Sequence, residues 1–184
     1  MDGVSRLAEE AARGDRDALA AFVHRTQADV WRLCAHLVDR DSADDLTQET
    51  FLRAIKALRG YRGEASGRTF VLAIARRTCM DELRRRTRRR RLGTRVRSEA
   101  EVGDVLEADP SGMVALDELV EALDPDRREA FVLTQLLGLG YAEAAEVCGC
   151  PVGTIRSRVA RARADLLEAV GEAESGDDAS GSAG

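Results

Sequence analysis

Residues 141–163 read Tyr-Ala-Glu-Ala-Ala-Glu-Val-Cys-Gly-Cys-Pro-Val-Gly-Thr-Ile-Arg-Ser-Arg-Val-Ala-Arg-Ala-Arg, and they decide the architecture. Two helices joined by a tight turn need three things: a small residue where they approach, a permissive residue at the turn, and an apolar residue inside the second helix. Ala145, Gly149 and Ile155 stand at those offsets. Gly149 can take the positive φ of such a turn without a Cβ clash, and Pro151 suits the first position of the following helix. In that second helix Ile155, Val159, Ala162 and Leu166 form one apolar stripe, while Arg156, Ser157, Arg158, Arg161 and Arg163 fall on the other faces. An apolar back with a basic front is the build of a helix that enters the major groove of DNA. The plainer alternative is an amphipathic surface helix with a solvated arginine face.

Outward from this segment, composition supports an all-α chain. Of 184 residues, 44% are apolar, 33% charged and only 4% aromatic, and the abundance of Ala, Leu, Arg and Glu favours helices. The net charge of −5 argues against nucleic acid until its distribution is considered. Nine arginines and no acid lie between Leu83 and Ser98, and four more arginines, again with no acid, lie between Pro151 and Arg163. Acids gather at Asp39–Glu49, at Glu99–Asp109 and in the tail. Lys56 is the only lysine. Such segregation suits a multi-surface adaptor.

Helical spacing continues upstream. A helix is expected from Arg16 to Val38, capped by Asp15, with Trp31 as core filler. A second is expected from Ser42 to Leu58, with Leu46, Phe51, Ile55 and Leu58 inward and Asp44, Asp45, Gln48 and Glu49 largely outward. A third runs from about Ser66 into the arginine block. Residues 1–92 thus form one small helical domain and 93–112 an acidic linker ending in Asp109-Pro110-Ser111-Gly112. Residues 113–170 form a second domain of short helices: Met113–Leu123, Pro125–Leu137, Tyr141–Val147 and Val152–Val170. Residues 171–184, rich in Gly, Ser, Ala and acid, are expected to be a disordered tail.

Four cysteines (Cys34, Cys79, Cys148, Cys150) suggest small buried thiols. The single-residue spacing of Cys148 and Cys150 and the remoteness of His24 and His36 do not suit a zinc site. No metal or cofactor is expected. There is no apolar run of membrane-spanning length and no charged-then-apolar leader, so a cytoplasmic protein without membrane insertion is anticipated. No phosphate-binding glycine loop or nucleophile elbow suggests an enzyme.

The segment 138–163, above all Pro-Val-Gly-Thr-Ile-Arg-Ser-Arg at 151–158, resembles the carboxy-terminal DNA-binding region of extracytoplasmic-function (ECF) sigma factors. Asp44-Asp45-Leu46-Thr47-Gln48-Glu49-Thr50-Phe51-Leu52-Arg53-Ala54 is similar to that family's polymerase-docking helix. Arg62-Gly63-Glu64-Ala65-Ser66, Arg68-Thr69-Phe70 and Ile74-Ala75-Arg76 resemble its minus-ten segment. The likeness spans about Ala18 to Val170.

The resemblance implies a non-enzymatic transcription-initiation factor that binds core RNA polymerase and promoter DNA. Asp44, Asp45, Leu46, Gln48, Glu49, Phe51 and Arg53 would meet the coiled coil of the largest polymerase subunit, and the polymerase flap is a further expected contact. Tyr61, Arg68, Phe70, Arg76, Arg77, Arg84 and Arg85 would handle the opened minus-ten strand. Thr154, Arg156, Ser157, Arg158, Ala160, Arg161 and Arg163 would face the minus-thirty-five duplex. The acidic linker would thread the active-site and RNA-exit path, and an anti-sigma protein is a further candidate partner. Three positions depart from the pattern: Phe70 where Trp is common, Arg77 where Asn is common, and Ala160 where a larger side chain often stands. Tyr61 and Phe70 could equally belong to the core. The competing class is a conventional helix-turn-helix regulator, which would bind duplex DNA unaided and would not need the 44–54 motif.

Overall fold

The computed structural model describes residues 2–93 and 112–180, and every regular element among them is helical. The chain divides into two compact units. The first holds α1 (Gly3–Ala12), α2 (Arg16–Leu37), α3 (Ala43–Leu58) and α4 (Gly67–Gly93). The second holds α5 (Gly112–Ala122), α6 (Pro125–Phe131) with a π-helical turn at Val132–Leu136, α7 (Tyr141–Cys148) as far as Ala145, and α8 (Val152–Ser180).

In the first unit local chemistry sets the helix starts. Asp2 caps α1, its Oδ1 accepting from the Val4 and Ser5 amides at 2.8 and 2.9 Å. Asp15 caps α2 in the same way through Asp17 and Ala18; each such cap is worth about 1 kcal/mol. Phe22, Val30, Leu33, Val71 and Leu72 are fully buried between the helices, contributing roughly 1.5–3 kcal/mol each. Thr26 and Thr50 sit in the same interior, their hydroxyls donating to the carbonyls of Phe22 and Leu46 one turn back at 2.8 and 2.7 Å. Buried hydroxyls so bonded cost little.

Helix α1 lies where the sequence reading expects no element. Its signal is present nonetheless: Val4, Leu7, Ala8 and Ala11 recur at helical spacing behind an Asp cap. Trp31 is a correction too. It is half-exposed rather than core, and its Nε1 donates to Asp44 Oδ1 at 2.8 Å, because an indole N–H prefers a site where one edge stays polar.

In the second unit Asp124 caps α6, accepting from Asp126 at 3.0 Å, with Pro125 opening the helix. The helix then widens, and the Leu137 amide donates to the Val132 carbonyl five residues back at 2.9 Å. Val120, Ala130, Val132, Leu133, Ile155, Ala144 and Ala162 are fully buried, and Val159 nearly so. Helix α8 passes Gly171, where the sequence reading begins a disordered tail, and runs to Ser180. Extending a formed helix gains one hydrogen bond per residue fixed and avoids a new nucleation. Residues 181–184 and the bulk of the expected linker, 94–111, lie outside the described residues. All four cysteines are free thiols, Cys150 half-exposed and the others buried. Among the described residues no helix is long and apolar enough to cross a membrane.

Candidate nucleic-acid and protein interfaces

The turn at 148–151 has the geometry its residues imply. Gly149 takes φ +65°, Ala145 and Ile155 are buried, and Pro151 precedes α8. The apolar stripe Ile155, Val159 and Ala162 faces inward, so Arg156, Ser157, Ala160, Arg161 and Arg163 are exposed. The arginines are not equivalent. Arg158 pairs with Asp126 on α6, and Arg163 donates to Gln135 Oε1 on the π-helical turn at 2.6 Å. From the other direction, Arg127 of α6 reaches Asp165 of α8 at 2.6 Å. These contacts hold α8 against α6. Arg156 and Arg161 have no hydrogen-bond or ion-pair partner among the described residues, which leaves both guanidinium groups available to an outside acceptor. Thr154 is half-buried, and its carbonyl accepts from Ser157 Oγ at 2.9 Å.

In the first unit Tyr61 and Phe70 come together, ring centroids 5.0 Å apart and planes inclined by 56°. They are half-buried, which resolves the sequence-level choice in favour of neither extreme: each ring packs on the other and still fronts a pocket. That pocket is open to solvent, has a volume of about 440 Å³ and is lined by Gly60, Tyr61, Arg62, Glu64, Ala65 and Phe70. The Tyr61 hydroxyl donates to the Ala65 carbonyl at 2.7 Å, and burial pushes its pKa up. Arg62 and Glu64, absent from the expected site residues, belong to this rim.

The arginines of α4 divide as those of α8 do. Arg68 is committed to Asp29 of α2 at 2.7 Å. Arg86 is the hub of a cluster, donating to Asp39, to Ser42 Oγ at 2.6 Å and to Glu82 at 3.1 Å. Burial works to raise the Asp39 pKa, but hydrogen bonds from Arg86 and Ser42 outweigh it and leave the carboxyl below its ordinary range. Arg76 is half-buried and Arg77 exposed. Arg84 and Arg85 reach Asp81 and Glu82 only loosely, at 3.6 and 3.4 Å. Arg84, Arg88 and Arg91 recur along one side of the helix beside Met80, Leu83 and Thr87; Arg88 and Arg91 are additions to the expected set.

On α3 the docking residues sort by burial. Asp45 and Gln48 are exposed, but Leu46 and Phe51 are core. Glu49 and Arg53 form an ion pair at 2.9 Å, and Arg53 also reaches Asp81 on α4 at 2.8 Å, so Arg53 ties two helices together. The Arg53 hydrogen bond in turn depresses the pKa of Asp81. Ile55, expected inward, is 41% exposed and its neighbour Leu52 60%. The helix is rotated so that Ala54 and Leu58 take the inner face. Asp45, Gln48, Leu52 and Ile55 therefore line one outer stripe, bordering a groove of about 400 Å³ shared with Val23, Gln27, Thr47 and Phe51.

Comparison with known proteins identifies the family. The family model Sigma-70 region 2 matches residues 22–89, and Sigma-70, region 4 matches residues 113–166. The ECF RNA polymerase sigma factor SigC of Mycobacterium tuberculosis is 52% identical over 167 residues, covering 90% of each chain. The ECF RNA polymerase sigma-E factor of Escherichia coli is 34% identical over 169 residues, 85% of this chain and 88% of the relative. CnrH, solved with the cytosolic domain of CnrY, superposes with a TM-score of 0.71 at 25% identity, covering 93% of this chain and 99% of that one. RpoE of Bartonella quintana, solved with the anti-sigma factor NepR, gives 0.69 at 26% identity over 81% and 94%.

Proposed function

The chain belongs to the ECF RNA polymerase sigma factor family and initiates transcription with RNA polymerase; from that premise we propose how its surfaces divide the work. The stripe Asp45–Gln48–Leu52–Ile55 docks on the coiled coil of the largest polymerase subunit. Its apolar centre supplies affinity and its acidic end supplies orientation and association rate against a basic helical partner. The pocket at Tyr61 and Phe70 takes a base from the opened non-template strand of the minus-ten element. Arg77, Arg84, Arg88 and Arg91 follow the adjoining phosphates, since single-strand readers combine a cationic track with aromatic seats. Helix α8 enters the minus-thirty-five major groove with Arg156 and Arg161 foremost, and its unit rests on the polymerase flap. The acidic linker threads the active-site and RNA-exit path. CnrH is solved with the cytosolic domain of CnrY and RpoE with the anti-sigma factor NepR, and an anti-sigma partner is proposed for this chain on the second ground. The protein acts in the cytoplasm, where polymerase and promoter are.

The observation that carries this division is the exposed apolar stripe on α3. Leu52 and Ile55 contribute little to the fold where they stand, and a chain acting alone on duplex DNA has no use for them. In a pull-down with core polymerase, Leu52→Glu should lower binding about tenfold or more, because one buried leucine is worth roughly 1.5–3 kcal/mol, and Asp45→Arg should lower it through slower association. Circular dichroism and melting temperature should remain those of the parent. Unchanged capture by polymerase, together with tight unaided binding to duplex DNA, would overturn the proposal.

A further inference from the structure

Helix α1 is folded onto the start of α4, at the pocket of Tyr61 and Phe70. The first amides of any helix lack intrahelical acceptors. At α4 two devices meet that need. Ser66 Oγ accepts from the Thr69 amide at 3.1 Å, a local cap. The Gly67 amide instead donates to Ser5 Oγ of α1 at 2.9 Å, a buried bond between residues 62 apart in sequence. Ser5 in turn donates to Asp2 Oδ2 at 2.6 Å, and Asp2 is the cap of α1 itself. One cap chain therefore runs from the first turn of α1 into the first turn of α4.

The fit is also steric. A Cβ built on Gly67 would lie 2.8 Å from the Val4 carbonyl oxygen, 3.0 Å from its carbon and 3.1 Å from Ser5 Cα. These are backbone atoms, which cannot swing aside, so the two backbones meet only because residue 67 has no side chain. Glu9 stands over the same loop, its Oε1 3.1 Å from where a Cβ of Gly63 would be. Phe70 donates its amide to Ser66 within this first turn. Its ring position thus follows the start of α4, and Tyr61 is packed on that ring.

We infer that α1 is a positioning element for the base pocket: the Ser5–Gly67 contact fixes the 60–67 loop and the first turn of α4, and thereby the gap between the pocket walls into which a base must fit. This rests on the proposed minus-ten role of the pocket. Ser5 and Gly67 touch no nucleic acid in this scheme and act through Tyr61 and Phe70. Alanine suits the first turn of a helix, so Gly67→Ala acts through the clash with α1 and not through helix propensity.

The test uses holoenzyme and a single-stranded oligonucleotide with the non-template sequence of a promoter that the holoenzyme opens, together with versions carrying an abasic site at each position in turn. With the parent protein, one abasic position should lower affinity by about tenfold, the loss of one stacked base. In Ser5→Ala and Gly67→Ala that discrimination should shrink to about twofold, while affinity for the abasic strand, polymerase binding and minus-thirty-five binding stay at parental values. Ser5→Thr, which keeps the hydroxyl, should retain more discrimination than Ser5→Ala. Full discrimination in both alanine variants, or equal loss on normal and abasic strands, would overturn the role of α1. A parent that distinguishes no abasic position would instead remove the pocket proposal on which it rests.

Discussion

Removing Arg156 and removing Arg158 should have different consequences, although the two residues are separated by one position on a basic helix. Arg156 is exposed and makes no contact among the described residues, so Arg156→Ala should leave unfolding free energy within about 0.5 kcal/mol of the parent. If its guanidinium lies across a guanine edge, promoter affinity falls by about 1–3 kcal/mol, roughly fivefold to 150-fold, with the loss concentrated at one base pair. Arg158 is largely occupied by Asp126. Arg158→Ala removes a pair worth about 0–1 kcal/mol, a loss that Asp126→Ala should mimic. In a double-mutant cycle, Arg158→Ala in the Asp126→Ala background should then cost little more. The assay is equilibrium binding of holoenzyme to labelled duplex carrying the minus-thirty-five element, repeated over single base-pair changes. Equal affinity losses for Arg156→Ala and Arg158→Ala would refute the division of the arginines into free and committed. A loss for Arg156→Ala that is uniform over all base pairs would assign it to phosphate.

Three further outcomes are expected. Asp39 and Asp81 both have pKa values held below the ordinary carboxylate range. Their contribution is fully present above the unfolded value near about 4 and is lost as pH falls through the folded value. Denaturant titrations from about pH 5 to about pH 3 should show the first unit weakening, less steeply in Asp39→Asn, whereas parallel curves would rule out this linkage; the slope will be shallow because both side chains are partly in solvent. Affinity for promoter DNA should fall with added salt. Arg88→Ala should reduce the magnitude of the log–log slope by about one with melting temperature unchanged, whereas Arg86→Ala should lower the melting temperature of the first unit. The reverse pattern would contradict the assignment of Arg86 to Asp39, Ser42 and Glu82.

Much of the fold was legible because its signals are local. Asp15 and Asp124 are caps in sequence and in structure, and Ala145, Gly149 and Ile155 could be placed from spacing alone. What escaped notice depends on partners distant in the chain. Which arginine is structural depends on where Asp29, Asp39 and Asp126 come to lie, and no periodicity encodes that. The rotation of α3 that exposes Ile55 is set by packing against α2 and α4. Trp31 looked like filler until Asp44 of the next helix came within reach of its ring nitrogen. Helix α1 is a different case: its Asp2 cap and its apolar spacing at Val4, Leu7, Ala8 and Ala11 are as local a signal as those of α2, and Ala8 is fully buried. The candidate site follows the same division. Arg62, Glu64 and Leu52 lie inside the quoted motifs, but that the first two rim the pocket of Tyr61 and Phe70 and that Leu52 stands exposed beside Ile55 depends on the packing of the helices.

Two glycines, indistinguishable in a composition table, leave the protein very different latitude to vary. At Gly149 nothing lies within 4 Å of a built Cβ, and the site asks only for a torsion angle; asparagine, which tolerates left-handed backbone, would serve there at modest cost. Gly67 has an ordinary torsion and no room at all, so every replacement must push against a neighbouring main chain. Drift is open at the first position and closed at the second, and a library of substitutions at both would separate a demand for shape from a demand for space.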